Sequence, residues 1–125
     1  MKAVVVKPGQ PPYVTDMLAK LSAMQDVVEG QIECLMLEEG VDLICNEEGK
    51  LDGLPLNRRM GDDIIAGTFF VVGYNDEGEH ISLTDEQAEK YMVAFAEPEQ
   101  FPKGYYPEPV MEFTSWGDED EQEIE

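Results

Sequence analysis

Positive charge is what this sequence has least of. Eight Lys and Arg stand against 28 Asp and Glu in 125 residues, a formal net charge of -20. An anion of this density repels nucleic acid and anionic membrane, because approach brings like charges together instead of releasing counterions. Direct nucleic-acid binding and membrane binding are therefore not expected, and the natural partner is a basic protein surface. Cysteine and histidine are almost as scarce. Two Cys without CxxC spacing and a single His80 give neither a disulfide framework nor a metal site, so no metal is expected. No apolar run approaches the roughly 20 residues that span a bilayer, and the apolar part of the N-terminal MKAVVVK is too short for a signal peptide. A cytoplasmic protein is expected. The phosphate-loop, dinucleotide, nucleophile-elbow and zincin motifs are all missing, which leaves no catalytic residues to name, no cofactor and no enzyme activity as the expectation.

What the chain does contain is enough apolar sequence, 42 %, for one core. Its acids are distributed unevenly. Residues 1–95 hold 18 Asp and Glu against 7 Lys and Arg (net -11), while residues 96–125 hold 10 against Lys103 alone (net -9). The β-branched run Ala3-Val4-Val5-Val6, closed by Pro8-Gly9 and Pro11-Pro12, predicts a strand over 2–7 with a return strand over 13–17. Met17, Leu21, Met24 and Val28 recur at helical spacing, so a helix is expected over 18–28 with Gly30 as its C-terminal cap. Alternation at Ile32, Cys34 and Met36, followed by residues 41–45, reads as a hairpin turning at Glu39-Gly40. That register sets Cys34 opposite Cys45, as two small buried hydrophobes or, more sharply, a redox pair.

Residues 51–60 (LDGLPLNRRM) are broken by Gly and Pro and are expected to form an ordered loop. Residues 64–72 read as one central strand, with Gly67 marking a bulge or close packing. The turn at Asn75-Asp76-Glu77-Gly78-Glu79 has its Gly misplaced for a calcium loop. His80 is expected on the surface ahead of a second helix. That helix runs over 85–95, with a capping box at Thr84 and Gln87 and an apolar stripe at Ala88, Tyr91, Met92 and Phe95. The fold class is thus α+β: a mostly antiparallel sheet of about five short strands with two packed helices over 1–95. An acidic tail over 96–125 follows, carrying Phe101, Tyr105, Tyr106, Phe113 and Trp116, five of the chain's eleven aromatics.

Two sets of candidate site residues emerge. Glu38, Glu39, Glu47 and Glu48 lie at the expected hairpin ends, and Trp116 with Asp118, Glu119, Asp120 and Glu121 forms an acidic, aromatic docking segment; both suit a basic partner. Alternatively, Asn57, Arg58 and Arg59 place the only adjacent arginines in an ordered loop, where their planar forks suit a small anionic ligand. Gln25 would hydrogen-bond across to that loop. The structural reading of the same arginines is ion pairing with Asp62 and Asp63.

The spaced motifs Leu21-Ser22-Ala23-Met24-Gln25 through Val28-Glu29-Gly30-Gln31-Ile32-Glu33, Asn46-Glu47-Glu48-Gly49-Lys50-Leu51 with Gly53-Leu54-Pro55 and Asn57-Arg58, Ile65-Ala66-Gly67-Thr68-Phe69, and Leu83-Thr84-Asp85-Glu86-Gln87 resemble the family called domain of unknown function 3846. The resemblance covers about residues 1–95. It implies a small α+β domain in bacteria, their phages and mobile elements, hence a bacterial host, and it implies no activity. Three functional expectations follow. The first is a non-enzymatic acidic binding protein of phage or mobile-element type, inhibiting a host nucleic-acid-binding defence protein such as a restriction or CRISPR nuclease by charge mimicry. The second is a small anionic-ligand sensor or enzyme using Asn57, Arg58 and Arg59. The third is an accessory protein that docks its partner through the tail.

Overall fold

A computed structural model of the chain describes residues 1–102. In chain order the elements are β1 (Lys2–Val6), β2 (Tyr13–Asp16), α1 (Leu21–Val28), β3 (Ile32–Glu38), β4 (Val41–Asn46), β5 (Leu56–Met60), β6 (Asp63–Ala66), β7 (Phe69–Tyr74), β8 (His80–Ile81) and α2 (Asp85–Ala94). The main sheet is antiparallel throughout, ordered β2-β1-β7-β4-β3, with β8 pairing the far end of β7. The fold is α+β, with a six-stranded sheet and a separate β5–β6 hairpin.

Continuous apolar runs usually mark parallel strands covered on both faces. Here β1 and β7 have them in an antiparallel sheet, and β4 is buried along its whole length although Asp42 and Asn46 interrupt its apolar residues, for the same reason. One face, with Ala3, Val5, Ile44, Phe70 and Val72, lies under Met24 and Val28 of α1. The opposite face, with Val4, Val6, Leu43, Cys45, Phe69 and Val71, lies under Ala88, Tyr91 and Phe95 of α2 and Ile65 of β6. Phe69 and Phe95 meet edge to face at 5.1 Å between centroids. Truncating a ring such as Phe70, fully buried, to alanine costs ~3–5 kcal/mol in lost transfer energy and cavity formation.

The second helix forms where its cap dictates. Thr84 accepts from the Gln87 amide at 3.0 Å and Gln87 Oε1 accepts from the Thr84 amide at 2.9 Å, while Asp85 and Glu86 face the positive end of the dipole. The first helix is shorter than expected, starting at Leu21 after an extended Lys20, and its buried face is Met24 and Val28, with Leu21 exposed. Its left-handed C-terminal residue is Glu29 (φ 64°), and Gly30 is needed for space, because a Cβ there would stand 2.6 Å from Asn46 Nδ2. Buried Asn46 donates to the carbonyls of Val28 and Glu29 and accepts from the Glu48 amide, so one side chain closes the helix and holds the next turn.

Four further expectations are corrected. Residues 51–60 are not all loop, because β5 pairs with β6; its inward positions are polar, Asn57 and Arg58, and so hide the strand pattern. Residues 64–72 form two strands, because Gly67 adopts φ +85° and donates to the Pro55 carbonyl, turning the chain from β6 into β7. A bulge between Met36 and Glu38 shifts the β3–β4 register by one, so Cys34 faces Ile44, and Cys45 faces Glu33. His80 is not a surface residue ahead of α2. On β8 it pairs with Tyr74 of β7 and is half-buried.

Candidate functional site

Among the described residues, Arg58 is the largest fully buried side chain. All five of its N–H groups have acceptors: Nη2 donates to the Gln10 carbonyl (2.7 Å) and the Phe95 carbonyl (3.0 Å), Nη1 to Asn57 Oδ1 (2.8 Å) and the Asn57 carbonyl (3.4 Å), and Nε to the Phe95 carbonyl (3.4 Å). Asn57 is equally engaged, donating to the carbonyls of Val6 and Gly67. Burial pushes the Arg58 pKa down and nearby Glu99 offsets this. The guanidinium also sits at the C-terminal, negative end of α2, whose last turn holds no basic residue of its own. Asn57 and Arg58 therefore bind the β1–β2 connection, β5 and α2 together and present no donor to a ligand. Asp62 and Asp63 are not their partners, because Arg58 points inward, Arg59 pairs with Glu99 (3.8 Å) and lies over Phe101, and Lys50 takes Asp63. Gln25 does not reach this hairpin either; it lies on the opposite face of the sheet and donates to Gln31 Oε1 (3.1 Å).

The acidic candidates separate. Glu38 accepts from Lys90 Nζ (2.8 Å) and from the Tyr91 hydroxyl, which tie β3 to α2 and hold its carboxyl below the usual range. Glu39 is exposed at the turn. Glu47 and Glu48 are exposed and border a cleft of about 310 Å³ between the β3–β4 ends and β6. Glu33 stands on the same rim. Leu35, Leu51, Ile65 and Ala66 supply apolar wall, and the rim's Lys50 is paired with Asp63. The rim backbone is held by the Asn46 side chain and by the Glu47 amide donating to the Gln31 carbonyl (2.8 Å). The turn also lies close against β6, where a Cβ on Gly49 would meet the Ala66 carbonyl at 2.6 Å. Cys45 at the base is pushed up to about 12 by burial first and Glu33 next, so its thiol stays protonated. Trp116, Asp118, Glu119, Asp120 and Glu121 lie outside the described residues.

A third group was not foreseen as a unit. Cys34 of β3, Asp42 of β4 and His80 of β8 bring sulfur, carboxylate oxygen and imidazole nitrogen within 4.8 Å of one another, with His80 Nε2 3.2 Å from Asp42 Oδ2. Cys34 is exposed, and burial, then Asp42 and Glu33, raise its thiol pKa. Only the register of β3, β4, β7 and β8 reveals this convergence; sequence spacing carries no trace of it.

Residues 1–96 match the family described as Domain of unknown function (DUF3846). The chain belongs to that family. The DUF3846 match ends two residues after α2, and residues 97–102 continue along β5 through the Glu99–Arg59 pair. No curated protein and no solved structure matches the chain. No helix among the described residues of this DUF3846 domain is long and apolar enough to cross a membrane.

Proposed function

We propose that this DUF3846 protein is a non-enzymatic acidic binding protein whose partner offers a basic surface. The observation that carries the reading is the cleft rim: Glu33, Glu47 and Glu48 are exposed, fixed by hydrogen-bonded backbone, and set above an apolar wall. Arg and Lys side chains have the matching chemistry, with apolar stems for the wall and a cationic head for the rim. A preformed rim also lowers the ordering cost of binding. The finer reading is charge mimicry in a phage or mobile-element setting. Carboxylates spaced over a rigid body take the place of a phosphate track on a host nucleic-acid-binding defence protein in the bacterial cytoplasm. The tail, with net charge -9 over residues 96–125, adds electrostatic steering toward the same partner.

The test is affinity capture from bacterial lysate with the full chain and with a Glu33→Gln/Glu47→Gln/Glu48→Gln variant, each at low and high salt. The native chain should retain a nucleic-acid-binding protein at low salt, release it at high salt and release it to added DNA or RNA, and the triple variant should retain much less. Capture that ignores salt, or that is equal for the two chains, would remove the rim from the mechanism. For the anionic-ligand alternative, Asn57 and Arg58 have no donor left to offer, which leaves exposed Arg59, beside Glu99, as the one member of that trio facing solvent.

A further inference from the structure

We propose that Cys34, Asp42 and His80 form a binding site for a divalent metal ion of the zinc class, held by thiolate sulfur, carboxylate oxygen and imidazole nitrogen with a fourth position open to water. Asp42 alternates with Val41 and Leu43, whose side chains enter the core under α2, so it faces the α1 side of the sheet. It is 8 % exposed, on a strand paired on both sides. A carboxylate has about four lone-pair sites. Among the described residues its side chain meets one partner, His80 Nε2 at 3.2 Å. A buried carboxylate so sparsely satisfied is costly, all the more in a chain whose net charge is already -20. A dication placed beside it answers the deficit.

The neighbours that complete the site are the donors such an ion prefers. Zinc takes Cys, His and Asp together, and bonds of roughly 2.0–2.3 Å in a tetrahedron set its ligand atoms some 3.3–3.8 Å apart. The His80–Asp42 edge is already 3.2 Å and every donor pair lies within 4.8 Å. The two inner ligands sit on strands paired into the sheet, while exposed Cys34 has the freedom to close the remaining gap by rotating its side chain. A thiolate and an imidazole beside one carboxylate disfavour calcium and magnesium, which take oxygen, and favour zinc or cobalt. Binding releases the Cys34 thiol proton to solvent and leaves the oxidation states unchanged. Met36, the cross-strand neighbour of Asp42, and Tyr74, the neighbour of His80, border the open side as an apolar collar.

Cobalt(II) is the probe, because a thiolate ligand gives a charge-transfer absorption that carboxylates of the acidic surface and tail do not. The full chain, reduced and stripped by chelator, is titrated with cobalt and then with zinc. One cobalt per chain is expected, with a thiolate charge-transfer band and the visible bands of a four-coordinate ion, all displaced by zinc. Cys34→Ser, at an exposed position that folding does not need, should erase the charge-transfer band while circular dichroism stays native. Asp42→Asn and His80→Gln should each weaken binding by ~10-fold or more. Absence of the band at saturating cobalt, its survival in Cys34→Ser, or undiminished affinity in His80→Gln would each overturn the proposal.

Discussion

The polar group around Arg58 and the one around Asp42 lie on opposite faces of the same sheet and differ in how fully their hydrogen-bonding capacity is used. Arg58 is a buried cation with five donors and five acceptor contacts, and Asn57 beside it uses both of its donors and its oxygen. Asp42 is a buried anion with one side-chain contact among the described residues. The first cluster resembles a finished structural network, in which no member has anything left to give. The second retains unused acceptors beside a thiol and an imidazole. Residue type alone would have ranked them the other way, since a pair of arginines in an acidic chain reads as the binding site. Residual capacity, more than chemical identity, separates a fastener from a site.

The largest effect expected from breaking this contrast is at Arg58. Arg58→Ala strands the Phe95 carbonyl and Asn57 Oδ1 in the interior and unties the Gln10 carbonyl, and should lower the unfolding free energy by ~3–5 kcal/mol. Urea denaturation measures it. Arg58→Lys should recover only part of the loss, because an ammonium has three donors where the fork has five. Full recovery by lysine would mean that charge at the α2 terminus, and not the fork, is what the fold requires. Next in size is Asn57→Ala, expected to cost ~1–3 kcal/mol by leaving buried backbone acceptors unsatisfied. Asp42→Asn should behave differently in the metal-free protein: little change in thermal midpoint, or a rise, because a poorly paired buried charge is replaced by a neutral amide. A loss as large as that at Asn57 would show that the His80–Asp42 pair is itself a fastener and would erase the distinction.

The same contrast explains what could be read from the sequence. Apolar runs such as Val4-Val5-Val6 and Phe69-Phe70-Val71-Val72 announce themselves as central strands through composition, and the Thr84–Gln87 box marks the start of α2 through local chemistry. The β5 strand does not, because its inward residues are polar and their partners, Gln10 and Phe95, are 48 and 37 residues away. Its neighbour β6 runs on into β7 in the sequence pattern because Gly67 within a strand signals a bulge or close packing; the close packing is there, against Leu54, but the left-handed φ makes the position a turn. The Cys34–Asp42–His80 group depends on a one-residue bulge and on which strands are neighbours, and neither leaves a local signature. The acidic rim was half legible. Turn position found Glu47 and Glu48, whereas Glu38 met a lysine and a tyrosine on a helix that is distant in sequence, and Glu33 was missed because its strand position carried no turn signal.

The smallest expected effect concerns Glu38, which separates a surface fastener from a surface site. Its folded pKa lies below the ordinary carboxylate value of 4.5, through the hydrogen bond from Lys90 first and that from Tyr91 second. A depressed carboxyl binds protons more weakly in the folded than in the unfolded chain, so its stabilising contribution is complete above the unfolded pKa and disappears as pH falls through the folded one. Native protein should therefore melt slightly higher than Glu38→Gln at neutral pH, and the gap should close only at pH values below about 4.5. The pair is solvent-exposed, so added salt should narrow the gap at neutral pH as well. Glu47→Gln, with no such contact, should leave the melting temperature at neutral pH unchanged, while in the capture experiment it should weaken partner retention more than Glu38→Gln does. If the two variants exchanged these behaviours, the rim would be structural and the hairpin end would be the surface that meets the partner.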